Sequence, residues 1–394
     1  MQADTSLHGV VDTAVEVRDQ PCSAMRLGHD VQEWAALLDT LEADDWSLKA
    51  VVPLLSTLVA QAAVLPSVHR YGWQSGLRRL WARHAWGMSP SAQQQLLTLA
   101  CRWDDWPLVV RIADTLAERG ALSADTTCML AHAHWHMGEH RRALRLLRPV
   151  LVGQPRNTAA YGLYLSIEEW CRYRDCFPFG SEYSVDDGEL RLEPLGEHHL
   201  RDFAWQYHDP AIARLCCLPD FGSDQAWLDW LRQSYGYGDQ VLFAVLHREW
   251  GFVGSVSLIL HRGVGFFYYW IGSEFQGNGL GPRAVSRLLA LGREQYGMRV
   301  CYANAFAENY PSRRGLGKLG FEMLTVRALP PDAQERFYRL GDPVSRQQAI
   351  RELDVLMRDM GSPMQLYDPD TAGVVGLPAA HRHDWAITGE GGET

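Results

Sequence analysis

A dense group of glycines is the part of this sequence whose residue types and spacing most directly predict chemistry. Residues 276–281 have the pattern Q-x-x-G-x-G, and an amphipathic helical pattern with Val285, Leu288 and Leu289 on one face follows. Exposed backbone amides and the helix dipole at such a helix start favour an anion. The segment is therefore predicted to bind a phosphate group through Gln276, Gly277, Asn278, Gly279, Leu280 and Gly281.

Two other phosphate-binding motifs are excluded at this position. A dinucleotide-binding fingerprint, G-x-G-x-x-G, would need a third glycine where the sequence has Pro282, and it would open its domain rather than follow several strands. A P-loop would need G-K-[ST], which is absent. Pro282 instead suits the first turn of a helix, where the loss of one N–H donor costs little.

Other chemical groupings have weaker support. His132, His134, His136 and His140 include two pairs at i, i+4 spacing, which could present zinc ligands on one helix face. No H-E-x-x-H motif and no convincing third ligand accompany them, so no metal is expected. G-x-S-x-G is also absent, and serine hydrolase chemistry has no support.

Composition bounds the class of protein. The chain has 394 residues, and its formal net charge of −10 excludes a general nucleic-acid binder. Eight cysteines without a C-x-x-C pair indicate reduced thiols, and hence a cytoplasmic protein. The first residues lack the pattern of a secretory signal. The most apolar stretch is interrupted by Pro53, Ser56, Thr57 and Gln61, so no membrane span is predicted.

The first half of the chain has a helical pattern. Residues 1–25 are expected to be disordered, and residues 26–175 carry apolar side chains every three or four positions. One segment fits a tetratricopeptide repeat, in which small residues let two antiparallel helices approach and a proline ends the second. Its signature positions are Leu130, Ala131, Gly138, Ala143, Leu147, Val150 and Pro155. Flanking repeats are degenerate, and a helical bundle with one repeat-like hairpin is the alternative.

Beyond an aperiodic stretch near residues 171–189, the pattern changes to alternating strands and helices. Segments such as VLFAVLH, GFVGSVSLIL, VGFFYYWIGS, FEMLTVRAL and ERFYRLG predict strands. The predicted fold is multidomain: an all-α helical-repeat domain (26–175), then a mixed-sheet α/β domain (188–340). A C-terminal extension (341–394) contributes one helix with Ala349, Leu353, Leu356 and Met360 on its apolar face, followed by a flexible tail.

The second domain resembles the GNAT superfamily of acyl-CoA-dependent N-acyltransferases over about residues 188–340. Within it, the sequence looks like the branch that acetylates the N-termini of ribosomal proteins. The order and spacing of several short motifs carry the resemblance. These are W…DP (Trp205, Asp209, Pro210), Y-W-I (Tyr269, Trp270, Ile271), the glycine turn, N-x-x-S (Asn309, Ser312) and K-x-G-F (Lys318, Gly320, Phe321).

The resemblance implies a co-substrate and a role for each motif. Backbone amides of residues 276–281 would hold the pyrophosphate of acetyl-CoA or another acyl-CoA. The strand end at Trp270 and Ile271 would pair with the pantetheine arm. An N–H near Ile271 would polarise the thioester carbonyl and stabilise the oxyanion of a tetrahedral intermediate. Asn309 would contact the pantetheine arm, and Ser312 would lie near the sulfur.

Proton transfer is less completely specified. Many members of the superfamily have a tyrosine seven residues after the asparagine, where this chain has Leu316. Ser312 thus becomes the candidate general acid, acting by hydrogen bonding or through a water molecule. The alternative is that Ser312 only caps the following helix. Glu308 is the candidate base because it adjoins Asn309, whereas Glu274 is expected to face solvent. His208 and His261 are expected in loops that could reach an amine, and the base is left open.

These observations predict an acetyl-CoA-dependent N-acyltransferase. The expected acceptor is an amine of a peptide or protein, because the chain resembles the ribosomal-protein branch and because helical repeats often present concave peptide-binding faces. In one alternative the acceptor is a small-molecule amine, and the helical domain is a lid or a homodimer surface. In another, the domain is a non-catalytic CoA-binding scaffold.

Overall fold

A computed structural model describes residues 48–61, 70–175, 185–216, 221–236 and 240–370. The segment expected to be disordered at the N-terminus and the C-terminal tail from residue 371 lie outside these ranges. The chain divides into two compact units, residues 1–301 and 302–394, and each is described by itself. None of the described helices is long and apolar enough to cross a membrane.

The first unit begins with helices, as the apolar spacing predicts. Their bounds are α1 Leu48–Gln61, α2 Arg70–His84, α3 Pro90–Arg102, α4 Trp106–Glu118, α5 Ala124–His136, α6 His140–Gly153 and α7 Thr158–Asp175. Side-chain caps explain several starts: the Ser89 hydroxyl accepts from the N–H of Ala92, and the Ser123 hydroxyl accepts from that of Thr126.

A regular period relates these helices. Helices α3, α5 and α7 begin at Pro90, Ala124 and Thr158, each 34 residues after the one before, and α4 and α6 are separated by the same interval. In the α5–α6 hairpin, Ala131 and Ala143 are fully buried. Gly138 makes the connecting turn with φ of +75°, a left-handed conformation that glycine adopts without strain. The small residues therefore lie where the two helices meet.

An antiparallel sheet follows within the same unit. Its strands are β1 Val185–Asp186, β2 Leu190–Pro194, β3 Gln240–His247, β4 Gly251–His261 and β5 Val264–Ile271, paired in chain order. The long β4–β5 register runs from His261 opposite Val264 to Gly254 opposite Ile271. Helices α8 Leu200–Tyr207, α9 Pro210–Cys216, α10 Asp224–Gly236 and α11 Leu280–Tyr296 complete this unit. Helices α8 and α9 had not been assigned from the sequence.

Buried polar contacts join the helices to this sheet region. Glu193 of β2 is fully buried and contacts two helices: its carboxylate is 2.6 Å from His140 Nε2 and 3.1 Å from Arg174 Nε. Arg70 of α2 pairs with Asp202 of α8. Because a buried carboxylate needs its partners, these contacts fix the helices to the sheet region.

The second unit contains the remaining elements. These are β6 Val300–Phe306, which starts at the boundary, α12 Tyr310–Lys318, β7 Glu322–Met323, β8 Arg327–Ala328, β9 Glu335–Leu340, α13 Arg346–Asp359 and β10 Leu366–Tyr367. Strand β9 lies between β6 and β7, and β8 pairs with β10. The segment FEMLTVRAL, expected as one strand, forms two short ones, because β7 pairs with β9 while β8 pairs with β10.

The C-terminal helix packs within this second unit. Ala349, Leu353, Leu356 and Met357 are buried, whereas Met360, which was expected on the apolar face, follows the end of the helix and is half-buried. The Tyr302 hydroxyl donates to Glu352 at 2.6 Å. The extension is thus built onto β6 rather than separate from it.

Candidate active site

The glycine turn connects the end of β5 to the start of α11. Two side chains close it from within: Gln276 Nε2 donates to the carbonyl of Ile271 at 2.9 Å, and Asn278 Nδ2 donates to that of Phe275 at 3.1 Å. Gly277 and Gly279 have φ of +82° and +75°, in the left-handed region that favours glycine. The side chains of Gln276 and Asn278 therefore shape the turn.

The backbone amides of this turn fit an anion. Residues 276–279 are exposed, and Gly279 is the N-cap of α11, with no side-chain cap. Within the described part of the chain, none of the N–H groups of residues 277–281 donates to an acceptor. A Cβ added at Gly277 or Gly279 would meet nothing within 4 Å. Open space, unused donors and the helix dipole together suit a phosphate group.

Gly281 has a different role from the other two glycines. A Cβ at this position would lie 2.6 Å from Cε2 of Tyr269 and 3.5 Å from Cγ1 of Ile271. The residue is buried and belongs to the first turn of α11. Gly281 therefore lets the helix begin directly against β5, which brings the exposed amides next to the strand end.

Aromatic rings pack against Phe275, the residue just before the glycine turn. Phe275 is buried and packs edge-on against Tyr71 of α2, with ring centroids 6.0 Å apart. It also stacks on Trp250 at 5.7 Å, and Trp250 stacks on His247 at 4.1 Å. The helical region thus contacts the base of the glycine turn through Tyr71.

The first cation of α11 already has acidic partners. Arg283 pairs with Asp187 at 2.8 Å and with Glu189 at 2.5 Å. Although burial opposes it, hydrogen bonds from backbone amides and from Arg283 lower the pKa of Asp187 to about 2. An anion at the turn would therefore be bound by backbone N–H donors, because the nearby Arg283 is already neutralised by its acidic partners.

The end of β5, which precedes the glycine turn, is mostly buried in the apolar core. Trp270 and Ile271 are buried, and the Trp270 ring lies 5.1 Å from that of Phe203. The N–H of the next residue, Gly272, donates to Val253 at 2.9 Å, which continues the β4–β5 ladder. Of the two predicted cofactor residues, the Trp270 side chain thus packs in the apolar core.

In the second unit, Asn309 and Ser312 lie at the start of α12. Asn309 is the N-cap, and its Oδ1 accepts from the N–H of Ser312 at 3.2 Å. The alternative in which Ser312 only caps this helix is therefore wrong, because the Asn309 side chain is the cap. The Ser312 hydroxyl is half-buried and has no hydrogen-bond partner among the described residues.

Two residues of this unit were missed by the sequence analysis, one in the first turn of α12 and one at the start of β9. Arg313 donates to the carbonyl of Ala307 at 2.8 Å and to the Tyr338 hydroxyl at 3.1 Å, which fixes the first turn of α12. Glu335 is a buried carboxyl at the start of β9, whereas Glu308 is exposed. The sequence did contain a signal for Glu335. The segment ERFYRLG predicts a buried strand, and an acid at the first position of such a strand is unusual.

The remaining candidate bases lie in the first unit. Glu274 is exposed, as expected. His208 is the C-cap of α8, where its Nδ1 lies 2.6 Å from the Ala204 carbonyl, and His261 is the last residue of β4. His208 thus lies in the turn that follows α8, as expected, whereas His261 ends a strand rather than lying in a loop.

The histidine cluster forms part of the packed interior. His136 stacks on Trp106, with ring centroids 4.2 Å apart, and its Nε2 lies 3.3 Å from that of His132. His198 stacks on Trp135 at 4.8 Å. Among the described residues, no group of three or more His, Cys, Asp or Glu is arranged to hold a metal ion. Within these residues, the cluster joins the helices to the sheet region.

Comparison with known proteins decides the class of the sheet region. Residues 189–322, about a third of the chain, match the family model described as acetyltransferase (GNAT) domain. The chain contains a GNAT acetyltransferase domain. The helices of residues 48–175 lie outside the matched segment. No curated protein sequence matched the chain.

Solved structures of acetyltransferases resemble the GNAT domain at low identity. One is the ribosomal-protein-S5-alanine acetyltransferase from Vibrio fischeri, with 17% identity and a TM-score of 0.36, covering 40% of this chain and 96% of that one. Another is RimL, a ribosomal L7/L12 alpha-N-protein acetyltransferase in complex with coenzyme A, with 14% identity and a TM-score of 0.36, covering 39% and 94%. A third is the microcin C7 self-immunity acetyltransferase MccE in complex with acetyl-CoA and AMP, with 16% identity and a TM-score of 0.35, covering 40% and 94%.

Several family motifs of the GNAT domain have structural roles here. Asp209 accepts from the N–H of Ala211 at 2.8 Å and from the Ser273 hydroxyl, so it links the start of α9 to the turn after β5. Leu316, at the position where many members have tyrosine, is buried at 2% exposure. The N–H of Phe321 donates to the carbonyl of Leu316 at 3.0 Å, which ends α12. The leucine thus belongs to the core.

Proposed function

We propose that this protein is an acetyl-CoA-dependent N-acetyltransferase whose acceptor is the amine of a peptide or protein. The observation that carries the proposal is the set of unused backbone amides at residues 277–281, which lie at the start of α11 within the GNAT domain. Such donors suit the pyrophosphate of an acyl-CoA. Acetyl-CoA, when bound, supplies the activated acyl thioester.

The chain's own residues divide the remaining work. Amides of the glycine turn bind phosphate oxygens, and the strand end at Ile271 positions the acyl arm. Asn309 orders the start of α12, which leaves the Ser312 hydroxyl free to hydrogen-bond the departing sulfur. A serine hydroxyl acts there by donating a hydrogen bond rather than by full proton release, because its pKa is far above neutral.

The helical region is proposed to be tetratricopeptide-like and to help bind the acceptor. The 34-residue interval between equivalent helices supports the repeat assignment. Its contact with the glycine turn through Tyr71 and Phe275 supports a role close to the chemistry. Repeats of this kind stack into extended surfaces that suit a peptide.

Transfer from radiolabelled acetyl-CoA by the full-length protein tests the proposal. The acceptors are peptides with a free α-amine and varied first residues, with α-blocked copies of each as matched controls. Spermidine and free amino acids represent small amines. We expect label in free-amine peptides and none in blocked ones. Label only in small amines would replace the peptide acceptor, and acetyl-CoA binding without any transfer would favour a non-catalytic scaffold.

A further inference from the structure

Glu335 is a buried acid that the functions assigned above do not use. It opens strand β9 and is 3% exposed. Its Oε2 accepts a hydrogen bond from Asn304 Nδ2 at 3.0 Å, and its own N–H donates to the carbonyl of Asp332 at 2.9 Å. The carboxyl is therefore held in one place by the neighbouring strand and by the turn before β9.

The surroundings of Glu335 bring the pKa of its carboxyl close to neutral pH. Burial and the nearby Asp332 raise the pKa of Glu335 to about 7, and Glu308 adds to the effect. The Asn304 hydrogen bond and Arg336 act in the opposite direction. A carboxyl with such a pKa is ionised in part of the molecules at neutral pH and still binds a proton readily.

The position of Glu335 relates it to the start of α12. The N–H of Ala307, just after β6, donates to the carbonyl of Gln334 at 2.8 Å. Arg313 then joins the same Ala307 to Tyr338 of β9. These hydrogen bonds thus link the beginning of β9 to the end of β6 and to the start of α12, where Asn309 and Ser312 lie.

We propose that Glu335, and not Glu308, is the general base that removes a proton from the acceptor's ammonium group. This inference rests on the proposed function. The ammonium gives one proton to the Glu335 carboxylate, and the resulting amine lone pair forms a C–N bond to the acyl carbon, which gives a tetrahedral intermediate. The nitrogen, cationic in this intermediate, releases its second proton to solvent as the intermediate collapses to the amide. The C–S bond breaks, and its electron pair leaves as thiolate, which is protonated from solvent with the Ser312 hydroxyl as hydrogen-bond donor. Glu335 then returns its proton to solvent.

Glu308 is the less suitable carboxylate on physical grounds. It is exposed, so solvent competes for the hydrogen bonds that its carboxylate could make to an acceptor. Glu335 is buried and held by Asn304, and its pKa of about 7 is matched to taking a proton near neutral pH. A purely structural role for Glu335, holding Asn304 in place, would leave the pH dependence of transfer unchanged.

The test compares Glu335→Gln with Glu308→Gln in the full-length chain, using a free α-amine peptide that the wild type acetylates. The wild type should show kcat/KM rising with pH through about 7. Glu335→Gln should lose this limb and at least about 10²-fold in kcat, with the KM for acetyl-CoA unchanged. Glu308→Gln should keep the limb. Retention of the wild-type profile in Glu335→Gln would overturn the inference.

Two further measurements separate this inference from the proposed function and from misfolding. Infrared difference titration of the full chain without acceptor should show a carboxyl band that titrates near pH 7. Glu335→Gln should remove this band, and Glu308→Gln should retain it. Absence of the band in the wild type would overturn the inference, whatever the acceptor. If Glu335→Gln does not fold, Glu335→Asp decides. It should keep the pH limb with a lower kcat, and an unchanged kcat would count against Glu335. Failure of the wild type to acetylate any amine would reject the proposed function itself.

Discussion

At the scale of single residues, three glycines in one short turn have two different jobs. Gly277 and Gly279 supply left-handed backbone and open space, and Gly281 lets a helix approach a strand. The spacing of these residues predicted an anion site. It did not predict that the Gln276 and Asn278 side chains would turn inward to the carbonyls of the turn.

Substitution of Gly279 tests the anion site directly. Gly279→Val places a branched side chain beside the exposed amides and strains a backbone with φ of +75°. We expect acetyl-CoA affinity, measured by calorimetry, to fall at least about tenfold, which corresponds to roughly 1.4 kcal/mol. Gly120→Val is the matched control, because Gly120 has φ of +64° and equally open space but lies in the helical region. Equal affinity in wild type and Gly279→Val would reject the amide site.

Two substitutions distinguish the role of Ser312 in the reaction from the role of Asn309 in capping α12. Because Asn309 provides the cap, Ser312→Ala should lower kcat by roughly 10²-fold with little change in the acetyl-CoA KM or in thermal stability. Asn309→Ala should lower stability by about 1 kcal/mol through loss of the cap. Steady-state kinetics and thermal unfolding measure both. An unchanged kcat in Ser312→Ala would assign the serine no part in the reaction.

At the scale of elements, local patterns predicted most of the fold. Strands β3, β4 and β5 and helices α11 and α13 occur where alternation and periodicity predicted them. Long-range pairing could not be predicted in the same way. The division of FEMLTVRAL between two partners and the burial of Glu335 depend on which strands lie beside each other, and a local pattern does not encode that.

The α5 histidines and their neighbours predict a pH-dependent stability. Burial, with a contribution from Arg201, lowers the pKa of His132 to about 4, and burial with His140 lowers that of His199 to about 3. In the unfolded chain both would titrate near about 6.5. The folded state thus holds fewer protons, so their contribution to stability is complete above about pH 6.5 and is lost as the pH falls toward 4 and 3.

Urea unfolding at pH 7 and pH 5 measures this effect. We expect the free energy of unfolding to be lower at pH 5 by at least about 1 kcal/mol. Asp104, whose pKa burial raises to about 6, works in the opposite direction and offsets a part. His132→Gln should reduce the difference, whereas His208→Gln, at an exposed position, should not. Equal stability at the two pH values would contradict the assignment of neutral buried histidines.

At the scale of the whole molecule, the helices and the GNAT domain share buried charges. Glu193 of the domain depends on His140 and Arg174, and Asp202 depends on Arg70. Sequence patterns separated the two regions by composition, but they could not reveal this dependence, because the partners are 19 to 132 residues apart along the chain. The helical region is thus part of the structural support of the domain.

Deletion of residues 1–175 should therefore disrupt the domain. The deletion leaves Glu193 and Asp202 without their partners, and loss of one partner of a buried pair costs roughly 3–5 kcal/mol. We expect aggregation or non-cooperative unfolding, together with loss of transfer to peptides and small amines alike, measured by size-exclusion chromatography and activity. A soluble truncated protein that lost transfer only to peptides would instead indicate a detachable acceptor-binding module.

The ring stack beneath the glycine turn gives the molecule an internal spectroscopic reporter. Trp250 lies against Phe275, which belongs to the turn, and against His247 of the sheet. Small movements of the turn change the ring currents and the local polarity that this indole experiences. Fluorine-labelled tryptophan, assigned by substitution of Trp250, would therefore convert occupancy of the turn into a resonance shift, with no acceptor and no turnover required.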